Sequence, residues 1–379
     1  MGVKRDVVII SCIFGLSNAA SGILTPIWPI YILQLGATMT ELGLVFSASN
    51  IAATFLQIPS GVLSDRFGRK RLHALGVLLG ILPPIMYSSA RNWVSLVPWA
   101  LLSGLSSGLT SSIRWTVVAD TSAKDMARAY SWSIASMLMG MTLGPFFGGF
   151  VSDLYGIKAA FYISFSLYLV TFVLALLLHE TRSEPLVETN TISQGDNSLL
   201  RVALVFSATN IIQGLAFNMI SPISPVFYTT KFSIDYTQLG IVYALGTGLP
   251  SVLIQFPGGR IANRYNRKKL IMLTIVLSSP FFATIPLSRN LAELMLSLFM
   301  NSTIMNLAWP AYQALMMDLA PPAKRGLVNG VSMTTMWIGM TAGSALSGLL
   351  WEGLGASSPY FVAALLFPLS AIPFLLLNC

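Results

Sequence analysis

Apolar runs long enough to cross a lipid bilayer follow one another along almost the whole chain. A spanning helix needs roughly 20 apolar residues, and the runs lie at 7–35, 40–63, 72–90, 93–119, 127–152 and 157–178, then at 200–229, 237–261, 269–287, 291–317, 326–350 and 358–377. Lipid offers no hydrogen-bond partner to a backbone, so each segment must satisfy its own N–H and C=O groups. A barrel strand would alternate apolar and polar residues, and these runs do not, so the spans are expected to be helices. With 54% hydrophobic and 9% charged residues, the composition excludes a water-soluble globule.

The runs form two sets. Gln57-Ile-Pro59-Ser-Gly61-Val-Leu-Ser-Asp65-Arg66-Phe-Gly68-Arg69-Lys70-Arg71 returns as Gln255-Phe-Pro257-Gly-Gly259-Arg-Ile-Ala-Asn263-Arg264-Tyr-Asn-Arg267-Lys268-Lys269, a shift of 198. Pro26 and Pro29 return as Pro222 and Pro225, Leu42-Gly43 as Leu239-Gly240, Asp120 as Asp318, and Gly140-Met-Thr-x-Gly144 as Gly339-Met-Thr-x-Gly343, with shifts of 196 to 199. Such a repeat in an apolar chain points to a duplicated membrane protein. The expected fold is an all-α integral membrane protein with 12 transmembrane helices in two pseudo-symmetric six-helix bundles, residues 1–178 and 200–379. The polar stretch 179–199, with Glu180, Glu184, Glu188 and Asp196, reads as a linker.

Charge sets the expected sidedness. Lys4, Arg5, Arg66, Arg69, Lys70, Arg71, Lys124, Arg128, Arg182, Arg201, Arg264, Arg267, Lys268, Lys269, Lys324 and Arg325 fall in loops on one side, against Arg91, Lys158, Lys231 and Arg289 on the other. The positive-inside rule then places both termini in the cytoplasm of a multi-pass plasma-membrane protein. Anionic lipid headgroups account for the net charge of +8 without nucleic acid. Lys4-Arg5 before an apolar run also fits a secretory signal, but the run continues into Pro26-x-x-Pro29, which the seventh span repeats. Cys12 lies inside a span and Cys379 ends the chain, so neither a disulfide framework nor a metal site is expected, and no cofactor is.

Gly61-x-Leu-x-Asp65-Arg66-x-Gly68-Arg69-Lys70 resembles the loop between helices 2 and 3 of the major facilitator superfamily, and the repeat extends that resemblance over the whole chain. The resemblance implies a gating latch. Asp65 would meet a neighbouring helix end and Arg69 would pair with Asp120. Gly259, Asn263, Arg264, Arg267 and Asp318 would form the second copy, weaker because Asn263 replaces the acid. The fifth span carries Gly140, Gly144, Pro145, Gly148 and Gly149, which resembles a motif of exporting members, with Ser131 in place of its first glycine. Physics alone reads Ser136, Gly140, Gly144 and Gly148 as a small stripe for a close helix neighbour, and Pro145 as a removed backbone bond that permits a bend.

Other positions depart from drug-exporting relatives. Ala100 stands where such members carry an arginine, and no Asp or Glu lies deep in a span. Proton coupling normally needs an ionisable group in the path, so coupling would run through Asp65, Asp120 or Glu41, or be missing. Arg114 is the one charge inside a span, at a cost of at least about 2.5–3.5 kcal/mol; it reads as an anion or gate contact, or as a structural pair. Helices 1, 4, 7 and 10 line the pathway in the family, which nominates Asn18, Thr110, Gln213 and Asn306, with Trp28, Trp115, Trp309, Tyr312 and Phe217 as apolar surface. Gly104-Leu-Ser106-Ser-Gly108 fits a hydrolase pattern, but it sits in an apolar helix, not at a strand-to-helix elbow, so an enzyme is not expected. The resemblance implies a monomeric transporter of small molecules working by alternating access, with efflux of apolar or amphipathic compounds as the leading expectation. Uptake or facilitated diffusion of a sugar or small anion, and a transporter-like sensor, are the alternatives.

Overall fold

The computed structural model describes residues 5–121, 126–178, 197–320 and 324–377. Every apolar run is helical. In order these are α1 (Arg5–Leu24), α2 (Trp28–Gln34), α3 (Met39–Phe67), α4 (Arg69–Ser88), α5 (Val97–Thr121), α6 (Met126–Tyr155) and α7 (Ile157–Leu177). Then come α8 (Asn197–Ile220), α9 (Ser224–Phe232), α10 (Tyr236–Tyr243), α11 (Leu249–Arg264), α12 (Arg267–Leu287), α13 (Leu291–Leu319), α14 (Arg325–Leu354) and α15 (Ser358–Leu366), which continues as a 3₁₀ stretch, Phe367–Leu376.

Proline explains where runs break. The first and seventh runs both interrupt at their Pro-x-x-Pro, between α1 and α2 and between α8 and α9, because proline supplies no N–H to the helical ladder. The eighth run instead widens into a π turn, Ala244–Gly248, between α10 and α11. Gly68 enters α4 at φ 95°, in the region that favours glycine, whereas its repeat Asn266 caps α12 by accepting from the Lys269 N–H.

Ten segments among the described residues are long and apolar enough to cross a membrane. The two expected spans outside that set are α5 and α14, helices of 25 and 30 residues whose faces are rich in Ser, Thr and Gly. Apolar side chains stay exposed along other helices, as with Ile163, Leu169, Val170, Val173, Leu176 and Leu177 on α7. Water would not tolerate such a stripe, and acyl chains would.

The chain divides into two compact units that differ from the sequence halves by two short segments. The first comprises Met1–Thr38, Ala48–Glu188 and Tyr228–Ala244; the second comprises Met39–Ser47, Thr189–Phe227 and Leu245–Cys379. In the first unit α1 packs on α6 and α7, and α4 on α5 and α7, around Ile10, Ile13, Phe14, Leu109, Ile113 and Val117. In the second, α14 packs on α8, α12 on α13, and the last helix and its 3₁₀ stretch on α8 and α12. Edge-to-face rings join Phe217 to Phe282 and Phe367, and Phe206 to Tyr312 and Phe374.

Candidate functional site

A cavity of about 310 Å³ opens inside the second unit. Helix α8 contributes Gln213 and Phe217, α12 contributes Thr274 and Ser278, α13 contributes Asn301, Ser302, Asn306, Trp309 and Tyr312, and Met336 and Phe367 complete the wall. Its polar groups are positioned by bonds within the unit. The Asn306 amide donates to Ser251 Oγ at 3.0 Å and to the Ser302 carbonyl at 2.8 Å. Ser251 and Ser302 hydroxyls both donate to the Thr247 carbonyl of the π turn, at 2.7 and 2.8 Å. Asn301 donates to the Ser278 carbonyl at 3.1 Å. Trp309 and Tyr312 stack with centroids 6.0 Å apart, and the Tyr312 hydroxyl donates to Asn210 Oδ1 at 2.8 Å. None of the seventeen lining residues is Asp, Glu, Lys, Arg or His. Aromatic walls with a few oriented, uncharged polar groups suit a small ligand with an apolar body.

Of the positions nominated from sequence, Gln213, Asn306, Trp309, Tyr312 and Phe217 meet in this cavity. Asn18, Thr110 and Arg114 belong to the first unit. Asn18 donates to the Phe14 carbonyl of its own helix at 2.7 Å. Trp28 packs into an aromatic cluster, tilted against Tyr87 and edge-to-face with Phe161. The side chain of Trp115 lies outside the described residues.

Arg114 is partly exposed, and among the described residues it bonds to neutral groups. Its two terminal nitrogens donate to Ser17 Oγ and Thr110 Oγ1, each at 3.3 Å, and the guanidinium carbon lies 5.2 Å from the centre of the Phe14 ring. Both hydroxyls give their own protons to helix carbonyls, Ile13 at 2.7 Å and Ser106 at 2.8 Å, so their oxygens are acceptors for the cation. Among the described residues Arg114 Nε has no partner, and neither has either ring nitrogen of His73, which is buried and neighbours Arg114.

The glycine motif of α6 works on two faces. Gly140, Gly144 and Gly148 lie against Gly15, Ala19 and Ile23, so α1 approaches backbone to backbone, as the small stripe predicts. Gly149 instead faces the Tyr236 carbonyl, and Gly240 faces the Pro145 carbonyl. Next to them Asp153 accepts from the backbone N–H groups of Tyr236 at 3.2 Å and Thr237 at 2.6 Å. The second unit repeats this clasp. Gly348 faces the Met39 carbonyl, Gly43 faces the Ser344 carbonyl, and Glu352 accepts from the Thr40 N–H at 3.1 Å and its hydroxyl at 2.5 Å. Sequence reasoning missed Asp153 and Glu352. The repeat held the signal, since each acid follows a glycine, Gly149 or Gly348, by four residues.

At the basic loops, Arg267 and Asp318 form an ion pair in the second unit. Asn263 and Arg264 are exposed, and a Cβ at Gly259 would meet nothing within 4 Å among the described residues. Arg66 is exposed and rests over the Phe67 ring, while Arg69 is partly buried in the first turn of α4. The side chains of Asp65 and Asp120, and the surroundings of Gly61, lie outside the described residues, as does most of the linker 179–199. The hydrolase-like Gly104-x-Ser106-x-Gly108 serves packing: Gly104 and Gly108 face the Ser49 and Ala53 carbonyls, and Ser106 donates to the Gly76 carbonyl at 2.7 Å.

Comparison with known proteins agrees with this architecture. The Major Facilitator Superfamily profile matches residues 10–209 and 206–378. An uncharacterised MFS-type transporter of Methanocaldococcus jannaschii is 25% identical over 91% of this chain and 90% of its own length. Multidrug resistance protein MdtG of Proteus mirabilis is 25% identical over 93% and 90%. Among solved structures, the D-xylose–proton symporter superposes with a TM-score of 0.81 at 13% identity, covering 97% of this chain and 96% of its own.

Proposed function

Because the chain belongs to the Major Facilitator Superfamily, and is thus a multi-pass transporter of small molecules, we propose that it exports apolar or amphipathic compounds by alternating access. The observation that carries this reading is the second unit's cavity, about 310 Å³ with aromatic walls and no ionised side chain. Similarity to multidrug resistance protein MdtG supports the same direction. Basic residues concentrated in one set of loops support a plasma-membrane protein with both termini in the cytoplasm. In this reading Gly61, Asp65, Arg66, Gly68, Arg69 and Asp120, with Gly259, Asn263, Arg264, Arg267 and Asp318, latch the cytoplasmic side in one state, and the Arg267–Asp318 pair supports the second copy. Gly140, Gly144, Pro145, Gly148 and Gly149 shape α6 for the same cycle. The test is flux in liposomes containing the purified protein. Lipophilic compounds are expected to cross faster than in empty vesicles, and equal rates across a broad panel would refute export.

A second reading, movement of an uncharged polar solute, is favoured by the amides of Gln213, Asn301 and Asn306 in the cavity wall. Saturable flux of a sugar or nucleoside, without flux of lipophilic compounds, would select it.

A further inference from the structure

The residues that line the second unit's cavity have counterparts in the first unit, which the duplication identifies. With the shifts of 196 to 199, Gln213, Phe217, Ile271, Thr274, Tyr312 and Phe367 fall on Ser17, Ser21, His73, Gly76, Arg114 and Tyr168. The two copies have diverged in a way that packing explains. Thr274, Ser302 and Asn306 line the cavity, where the first unit has Gly76, Gly104 and Gly108. Without a side chain at Gly76, the Thr110 methyl comes within 2.7 Å of where its Cβ would be, and α4 and α5 close together. At the position where one copy presents the Tyr312 phenol, the other presents the Arg114 guanidinium.

That guanidinium is placed as a recognition group. Side chains on a helix lean toward its N-terminus, so Arg114, near the C-terminal end of α5, reaches back to Thr110 near the middle of the helix and does not snorkel toward the basic loops. Arg114 is half-buried within an apolar span, where a counter-charge is what stabilises a cation most. Among the described residues Arg114 has two neutral hydroxyl acceptors and one aromatic face, with Nε unpaired. Beside it, His73 is 1% exposed, neither ring nitrogen has a partner among the described residues, and an imidazole in either protonation state carries at least one N–H to donate.

We propose that the Arg114 cluster is an anion-recognition site that takes the carboxylate of an amphipathic organic acid, so that the cargo of this transporter includes organic anions. The inference rests on the transport reading for its role, but not for its chemistry. Arg114 supplies the charge, Ser17 and Thr110 orient it, Phe14 offers an apolar wall, and His73 adds a donor.

The test compares 1-naphthaleneacetate, 1-naphthaleneacetamide and 1-naphthylmethylammonium, which share one apolar body and differ in charge. Two readouts are taken: flux in proteoliposomes and the ligand-induced shift of the unfolding midpoint in detergent. The wild type is expected to favour the acid over the amide by about tenfold or more in both, the loss typical of one charged hydrogen bond. Arg114→Gln should bring that ratio toward one, Arg114→Lys should keep part of it, and Arg91→Gln in a distant loop should keep all of it. Wild-type protein that handles amide or ammonium as well as acid overturns the anion site and leaves transport standing. Acid-specific stabilisation lost in Arg114→Gln, with no flux of any probe, upholds the site and overturns transport. No shift and no flux overturns both.

Discussion

Asp153 closes the first turn of α10 by accepting the N–H of Thr237 at 2.6 Å, and that of Tyr236 at 3.2 Å with its other oxygen. Asp235 and Gln238 form a reciprocal capping box on the same turn. Together the two acids and Gln238 satisfy the backbone donors of residues 235 to 238, the groups that a helix start leaves unpaired. Asp153→Ala should cost about 0.5–1 kcal/mol in local stability, as loss of a capping oxygen does. Amide hydrogen exchange at Tyr236 and Thr237 should rise several-fold, with the Gln238 amide, still bonded to Asp235, rising less. Glu352→Ala should do the same at Thr40. Unchanged exchange at all three amides would count against the clasp.

Backbone contact at the same clasp makes a second expectation. A Cβ at Gly149 or Gly348 would overlap the Tyr236 or Met39 carbonyl, so Gly149→Ala and Gly348→Ala should each destabilise by about 1–3 kcal/mol. Gly353→Ala, where a Cβ meets nothing, should be neutral or stabilise by up to about 1 kcal/mol. Thermal unfolding of the three variants side by side checks the order.

The cavity should recognise ligands without ionising. Its lining has no Asp, Glu, Lys, Arg or His, so binding of an uncharged lipophile should change less than about twofold between pH 6 and pH 8. Trp309→Ala removes one of its stacked rings and should weaken such a ligand by about tenfold. Tryptophan-fluorescence titration of wild type at both pH values, and competition binding for the variant, measure both effects.

The basic-loop latch should be asymmetric. Asp65→Asn is expected to slow transport more than Asn263→Asp, because only the first copy has the acid. Arg267 and Asp318 are paired but sizeably exposed, 30% and 61% for their side chains, so a double-mutant cycle should give at most about 1 kcal/mol of coupling in stability. Initial flux rates and unfolding midpoints of these variants separate gating from folding.

Much of the fold was written in local chemistry. Apolar runs of bilayer length have no alternative to helices in lipid, and Pro26 and Pro222 break their runs at matching places because a missing N–H acts locally. The stripe Gly140, Gly144 and Gly148 announced a close neighbour, though only packing showed it to be α1. Gln213 and Asn306 were nominated as path residues, but in sequence they resembled Asn18, whose amide is taken up by its own helix. Which polar side chain turns inward to a cavity depends on the rotation of each helix against its neighbours.

The sequence alone determined the duplication, the spans and their basic loops, since each depends on composition or on residues close in the chain. The tertiary structure decided that one copy of the repeat would line a cavity and the other would gather Ser17, Thr110 and Phe14 around Arg114. That outcome depends on whether glycine or a side chain stands where two helices meet, and so on contacts that form only when the chain is packed.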